Sequence, residues 1–196
     1  MARFVVGFAG SIASGKGEAV AQAAKLLKAK TYSLSDELRA NLRKKRKPVT
    51  RKALRALGNE LRRKYGTGVL AEAVAKKAAA VRGAVIVDSI RCVGEAQALR
   101  KAFGKKFVLV FVDAPLRVRF NRAKKRGREG EASSFTEFKR VDAKEMADAE
   151  KWGHSLRKVK KMADVVLKND ASLSILYSRI RLLLTKSSSR LLRAVR

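Results

Sequence analysis

Gly10, Gly15 and Lys16 stand at the spacing GxxxxGK in the stretch GSIASGKGE. Those residue types at that spacing suit the binding of a polyphosphate. Glycines let successive backbone N–H groups converge on phosphate oxygens with no Cβ in the way. A helix beginning at the same point adds partial positive charge. Lys16 then reaches the β- and γ-phosphates. Ser11, Ala13, Ser14 and Gly17 complete the loop, which points to ATP as the ligand. One position departs from the pattern. Where a Ser or Thr hydroxyl commonly meets Mg2+, this chain has Gly17, followed by Glu18. Glu18 either holds a metal-bound water or favours the helix N-terminus by its charge.

Further candidates lie downstream. VIVDSIR (85–91) ends an apolar run in Asp88. An acid at the end of a buried strand can orient magnesium through water, or can cap the next helix. Arg39 lies one helical turn beyond Ser35, so its planar fork can turn toward the top of a sheet and grip phosphate. The alternative is a Ser35 cap with a surface arginine. Arg119, Arg122 and Arg126 include spacings of three and four, so they can share a helix face. A solvated basic face is the competing reading. Cys92 is the sole cysteine, which excludes an intramolecular disulfide and suits a reducing, cytoplasmic setting. His154 is the sole histidine and reads as a loop or surface residue.

These residues need a scaffold that brings loop ends to one edge. Apolar runs at 3–9, 29–34, 84–88, 106–113 and 163–169 read as five strands. Helical patterns separate them at 16–28, 35–46, 51–64, 69–81, 94–102, 115–126, 135–150 and 172–185. Such alternation predicts an α/β chain, a parallel sheet covered by helices on both faces. Its 196 residues suit one domain, 1–185, followed by a basic tail at 186–196 that is loosely attached, a frayed helix or an arm. The helical stretch 35–82 interrupts the alternation and is split at Pro48. RGREGEASSF (126–135) reads as a mobile loop, with Ser134 and Glu137 as a capping box for the helix behind it. The opening residues mimic a secretory signal, but Gly7 and Gly10 break the apolar run. No run is long enough to cross a membrane, so none is expected as a partner.

Lys and Arg number 47 against 17 Asp and Glu, a net charge of +30. That surplus favours anionic partners, whether nucleotides, coenzymes, RNA or the ribosome. A general basic bias of composition explains it equally well, because the charges run along the whole chain.

ASGKGEAV resembles the loop of the nucleoside-monophosphate-kinase-like proteins, among which adenylate kinases read GKG. GKGEA is similar above all to an archaeal family related to adenylate kinase and dephospho-CoA kinase. The resemblance implies a three-layer P-loop NTPase fold in which 35–82 is an acceptor-binding insertion and 126–135 a short lid. SLSDELRANL (33–42) is similar to the segment whose arginine grips the acceptor phosphate, which makes Asp36 and Arg39 substrate-binding. DSIR is similar to the DGIR of the archaeal relatives, with Ser89 in place of Gly; it adds Arg91 to the acceptor site and Asp88 to the magnesium site. DAPLRVRFNRAKKRGR (113–128) resembles the start of a lid that closes over ATP, where arginines stabilise charge on the transferred phosphoryl. Arg122 and Arg126 are the matching residues. FTEFKRVDAKEM (135–146) resembles the segment after the lid, which adds Arg140, with Asp142 to orient it or a substrate group. MADVVLKND (162–170) resembles an element bordering the adenine pocket of dephospho-CoA kinases, which brings in Asn169. KWGHSLRKVKK departs from the more apolar stretch of the family.

The function implied is transfer of the γ-phosphoryl of ATP, with Mg2+, to a small acceptor: a nucleoside monophosphate or dephospho-CoA. Lys16, Asp88, Arg122, Arg126 and Arg140 would be its catalytic residues. An RNA- or ribosome-associated ATPase and a nucleotide-binding protein without turnover stay open as alternatives. Monomer and homodimer are both compatible with the chain.

Overall fold

The computed structural model describes residues 4–127, 132–146 and 152–193, with side chains as far as residue 185. The middle of the expected lid, residues 147–150 of an expected helix, and the last residues of the expected tail lie outside the described residues.

Strands β1 (Phe4–Gly10), β2 (Lys30–Ser33), β3 (Ala84–Ile90), β4 (Phe107–Asp113) and β5 (Val165–Lys168) form a five-stranded sheet in the order β2-β3-β1-β4-β5. Every pairing is parallel, as the alternation predicted. All strands therefore end at one edge. Between β3 and β4 the chain crosses over β1, so a crevice opens at that edge beside β1, the general position of ligands in such sheets.

Helices cover both faces. α1 (Lys16–Leu27) and α9 (Leu173–Arg193) lie on one; α2 (Leu34–Lys44), α3 (Arg51–Tyr65), α4 (Val69–Ala79), α5 (Val93–Phe103) and α8 (Leu156–Met162) lie on the other. The strand period of two explains the division. Val5, Val85, Val87, Leu109 and Phe111 face the larger helical layer, while Val6, Phe8, Ile86, Val110 and Val112 face α1 and α9. Phe8 and Phe111 are fully buried, and truncating either costs about 3–5 kcal/mol. α6 (Leu116–Arg126) and α7 (Phe135–Met146) flank the expected lid and are joined by Phe120, whose ring lies 5.4 Å from that of Phe135 and 5.6 Å from that of Phe138.

Local signals explain the helix starts. Thr50 caps α3 by accepting from the Ala53 N–H at 3.1 Å, just beyond Pro48. At α7 the Glu137 N–H donates to Ser134 Oγ at 3.1 Å, but the Glu137 carboxylate accepts from Ser133 N–H, so the expected box closes one residue early. One expectation changes: α8 was hidden by Arg157, Lys158, Lys160 and Lys161, which flank its buried Leu156 and Val159. Residues 186–193, expected as a loosely attached tail, a frayed helix or an arm, continue the backbone of α9. No helix among the described residues is long and apolar enough to cross a membrane.

Candidate active site

The phosphate loop spans the gap between β1 and α1. Gly15 has φ +86°, and a Cβ there would sit 2.0 Å from the side-chain amide of Asn169. Both facts demand glycine. Ala13 is also left-handed, at φ +55°. Beneath the loop, Asn169 Nδ2 donates to the Ser14 carbonyl at 2.8 Å, and the Asn169 backbone N–H donates to the Asp113 carbonyl at 2.7 Å. Asn169, expected at the adenine pocket, is thus buried as a prop under the loop. Ser14 Oγ is buried without a hydrogen-bond partner among the described residues, and a Cβ on Gly10 would lie 2.8 Å from it. Ser11 Oγ donates to the sulfur of Met146 on α7 at 3.4 Å.

Lys16 reaches across the crevice to Asp88, with which it forms an ion pair; their side chains are 20% and 18% exposed. Burial lowers the Lys16 pKa, Asp88 opposes that shift, and Arg91 and Arg39 add to it. Asp88 also accepts from the Ser89 N–H and, on its second oxygen, from Ser89 Oγ at 3.3 Å. Ser33 Oγ, at the end of β2, donates to Ser89 Oγ at 3.2 Å. Glu18 faces the other way and accepts from the Tyr177 hydroxyl of α9 at 3.3 Å. At Gly17 nothing lies within 4 Å of where a Cβ would stand.

A pocket adjoins this crevice on the α2–α3 side. Five arginines line it, Arg39, Arg51, Arg55, Arg62 and Arg91, with Glu145 and His154. Arg39 and Arg91 were expected there. Asp36 sits at the exposed rim, paired with Arg39. Arg51 and Arg91 both face Glu145, the latter at 3.8 Å. Behind them Arg62 and Glu95 form a buried pair at 2.8 Å, and the second Glu95 oxygen accepts from the Arg91 N–H at 2.7 Å. Glu95 thereby fixes the backbone that carries Arg91. His154 is not a surface residue: it is buried, and burial together with Arg91, Arg62, Arg55 and Arg51 pushes its pKa down to about 2. The imidazole is neutral at every physiological pH.

The lid candidates are placed differently. Arg122 donates to the Asn169 carbonyl at 3.0 Å and to the Ala171 carbonyl at 3.4 Å, so it clamps the turn that props the loop. Arg126 and Arg140 are exposed, on α6 and α7. Asp142 does not orient Arg140. It is buried and holds Arg119 through both oxygens, while Arg119 donates to the Ala114 carbonyl at 2.9 Å and the Ile12 carbonyl at 3.3 Å. The reason is burial: a carboxylate inside the fold needs a partner inside it. Arg51, Arg55, Arg62, Glu145 and His154 went unselected in the sequence. An arginine on the buried face of α3, four residues after Gly58, was the one available signal for Arg62.

A parallel five-stranded sheet with flanking helices, carrying a glycine-rich loop and lysine at its central strand, defines the P-loop NTPase fold in its kinase form. Residues 9–139 match the family described as "AAA domain". The chain belongs to the UPF0200 family of archaeal proteins: it is 31% identical over 185 residues to the UPF0200 protein of Hyperthermus butylicus, covering 94% of this chain and 95% of the relative. It is 35% identical to the "UPF0200/UPF0201 protein" of Archaeoglobus fulgidus over 93% of its own length, but spans 55% of that longer protein. Among solved structures, a gluconokinase from Sinorhizobium meliloti shares the fold with a TM-score of 0.63 at 14% identity, covering 99% and 98% of the two chains. Shikimate kinase from Aquifex aeolicus does so with a TM-score of 0.55 at 17% identity, over 94% and 98%.

Proposed function

We propose that the protein is an ATP-dependent phosphotransferase whose acceptor is a small anionic molecule, a nucleoside monophosphate or dephospho-CoA. The observation that carries this reading is the arginine pocket opening beside Lys16 and Asp88. An uncharged alcohol would make little use of a pocket lined with arginines, whereas a phosphate-bearing acceptor can take bidentate bonds from them. Arg39 and Arg91 grip the acceptor from two walls. Backbone N–H groups of the loop and the α1 N-terminus take the ATP phosphates, and Lys16 exchanges its bond to Asp88 for one to phosphate. Asp88 suits Mg2+, a hard cation that keeps most of its waters and takes one or two carboxylates. When bound, magnesium neutralises charge on the β- and γ-phosphates. Arg122, Arg126 and Arg140 would add positive charge from the side of α6 and α7. On this reading residues 35–82 serve as the acceptor-binding insertion of a single domain; 126–135, expected as its lid, lie partly outside the described residues. A single buried thiol suits a reducing setting, which supports a cytoplasmic reading.

The test is ATP consumption with product identification against a panel of nucleoside monophosphates and dephospho-CoA, with and without RNA. Wild type is compared with Lys16→Ala. Transfer to one acceptor is expected, reduced about 10²–10³-fold in the variant, the scale of losing one positioned donor in a site of this kind. RNA-stimulated hydrolysis with no transfer would overturn the reading and favour the RNA-associated ATPase.

A further inference from the structure

At the two positions after Lys16 the phosphate loop turns no side-chain oxygen toward Asp88. Gly17 has no side chain, and Glu18 is turned to Tyr177. The opposite wall of the crevice is rich in oxygen. Asp88 is followed by Ser89, whose hydroxyl reaches Asp88 Oδ2, and Ser33 reaches Ser89 from the neighbouring strand. β2 and β3 are in register there, Ser33 opposite Asp88. Ser89 holds φ +68°, a left-handed conformation for a residue with a Cβ. That conformation costs about 1–2 kcal/mol, and glycine would adopt it freely. The pairing of β3 with β1 shifts register at the same place. Such irregularities re-aim side chains beside active sites, and here the shift accompanies a hydroxyl aimed at Asp88.

We infer that the Ser33 and Ser89 hydroxyls, with Asp88, hold the water shell of the magnesium ion that accompanies ATP. They supply from β2 and β3 the oxygen that Gly17 does not supply from the loop. Hydroxyls suit the task because each both donates and accepts, and can orient a metal-bound water against a carboxylate. The inference rests on the reading that ATP occupies the loop, so the experiment separates the two.

Affinity for the non-hydrolysable analogue adenylyl imidodiphosphate is measured by calorimetry in EDTA and again in MnCl2. The EDTA value reports the loop alone. The gain on adding Mn2+ reports how the protein favours the metal complex. The Ser33→Ala/Ser89→Gly double variant should keep the EDTA affinity while the Mn2+ gain falls roughly tenfold. Its fold is safeguarded, since glycine relieves the left-handed φ at position 89. Adding Gly17→Ser, where space is open, should restore most of the gain. A gain unchanged in the double variant overturns the inference. So does a fall in both affinities together, which is the mark of a structural role. Wild type that binds in EDTA but shows no Mn2+ gain overturns it while leaving the loop reading intact. No binding under either condition overturns both.

Discussion

The phosphate loop and the arginine pocket share one edge of the sheet but are built by opposite means. The loop is a run of consecutive residues, Gly10–Gly17, and its binding groups are backbone apart from the Lys16 side chain. The pocket is lined by residues gathered from α2, α3, α4, the end of β3 and Arg91 beyond it, α7 and the segment around His154. In the loop, backbone conformation and close approach fix the geometry: Gly15 is left-handed and rests on Asn169. In the pocket, ion pairs fix it: Arg62 with Glu95, Arg51 and Arg91 with Glu145. A contiguous backbone site tolerates changes in the charge around it. A site of converging arginines depends on every carboxylate that offsets their repulsion, including those that never touch a ligand.

The sharpest way to break this contrast is Glu95→Ala. The Arg62 and Glu95 side chains are 2% and 0% exposed, and removing one partner of such a pair costs about 3–5 kcal/mol because the other charge is left buried and alone. Urea denaturation should show that loss. The double variant Arg62→Met/Glu95→Leu should recover part of it, since the core then holds no stranded charge, while the Arg91 and Cys92 N–H groups still lack their acceptor. In both variants the folded fraction should still bind an ATP analogue, because the loop owes nothing to Glu95. Loss of analogue binding in the recovered double variant would show that the two regions are one unit.

A second, smaller effect comes from His154. Its pKa is held down to about 2 in the fold, against about 6.5 when unfolded. Between those values the unfolded chain binds the extra proton, so stability rises with pH and falls on acidification. From pH 7 to pH 5 the loss is about 2 kcal/mol, the slope approaching about 1.36 kcal/mol per unit below pH 6.5. Denaturation at pH 7 and pH 5 should show it in wild type and not in His154→Gln. An equal loss in the variant would mean that burial and the neighbouring arginines do not hold the His154 pKa down.

The same contrast governs what the sequence disclosed. The strands were legible because Val, Ile and Phe run together between glycines and acids, as in AVIVD and KFVLVFVD. The loop was legible because its chemistry is local. Arg39 and Arg91 could be placed because each follows a strand end. Arg51 and Arg55 could not, because in a chain with 47 lysines and arginines one basic residue on a helix looks like the next. Glu145 and His154 join the pocket only through contacts with residues far away in the chain, for example Arg51 with Glu145. Asp142 was seen as a site residue, yet its partner is Arg119, one helix away from the Arg140 beside it in sequence. Spacing finds neighbours on one helix face; it does not find which buried charge needs which.

Asn169 marks the boundary between the two modes, and its removal should have the smallest effect. Its side chain belongs to neither region by sequence, yet it carries the loop: Nδ2 on the Ser14 carbonyl, with Arg122 clamping its own carbonyl from α6. Asn169→Ala removes one buried hydrogen bond, worth about 1 kcal/mol, and should weaken ATP binding about fivefold. The informative quantity is the ratio of ATP to GTP affinity. A residue that reads the adenine base would shift that ratio when truncated. A prop beneath the loop acts on phosphates, which the two nucleotides share, so both affinities should fall together with the ratio unchanged. Arg122→Ala, which removes the clamp and leaves the amide, should act in the same direction and more weakly. A changed ratio in Asn169→Ala would return the residue to the base pocket and leave the loop held by its own glycines.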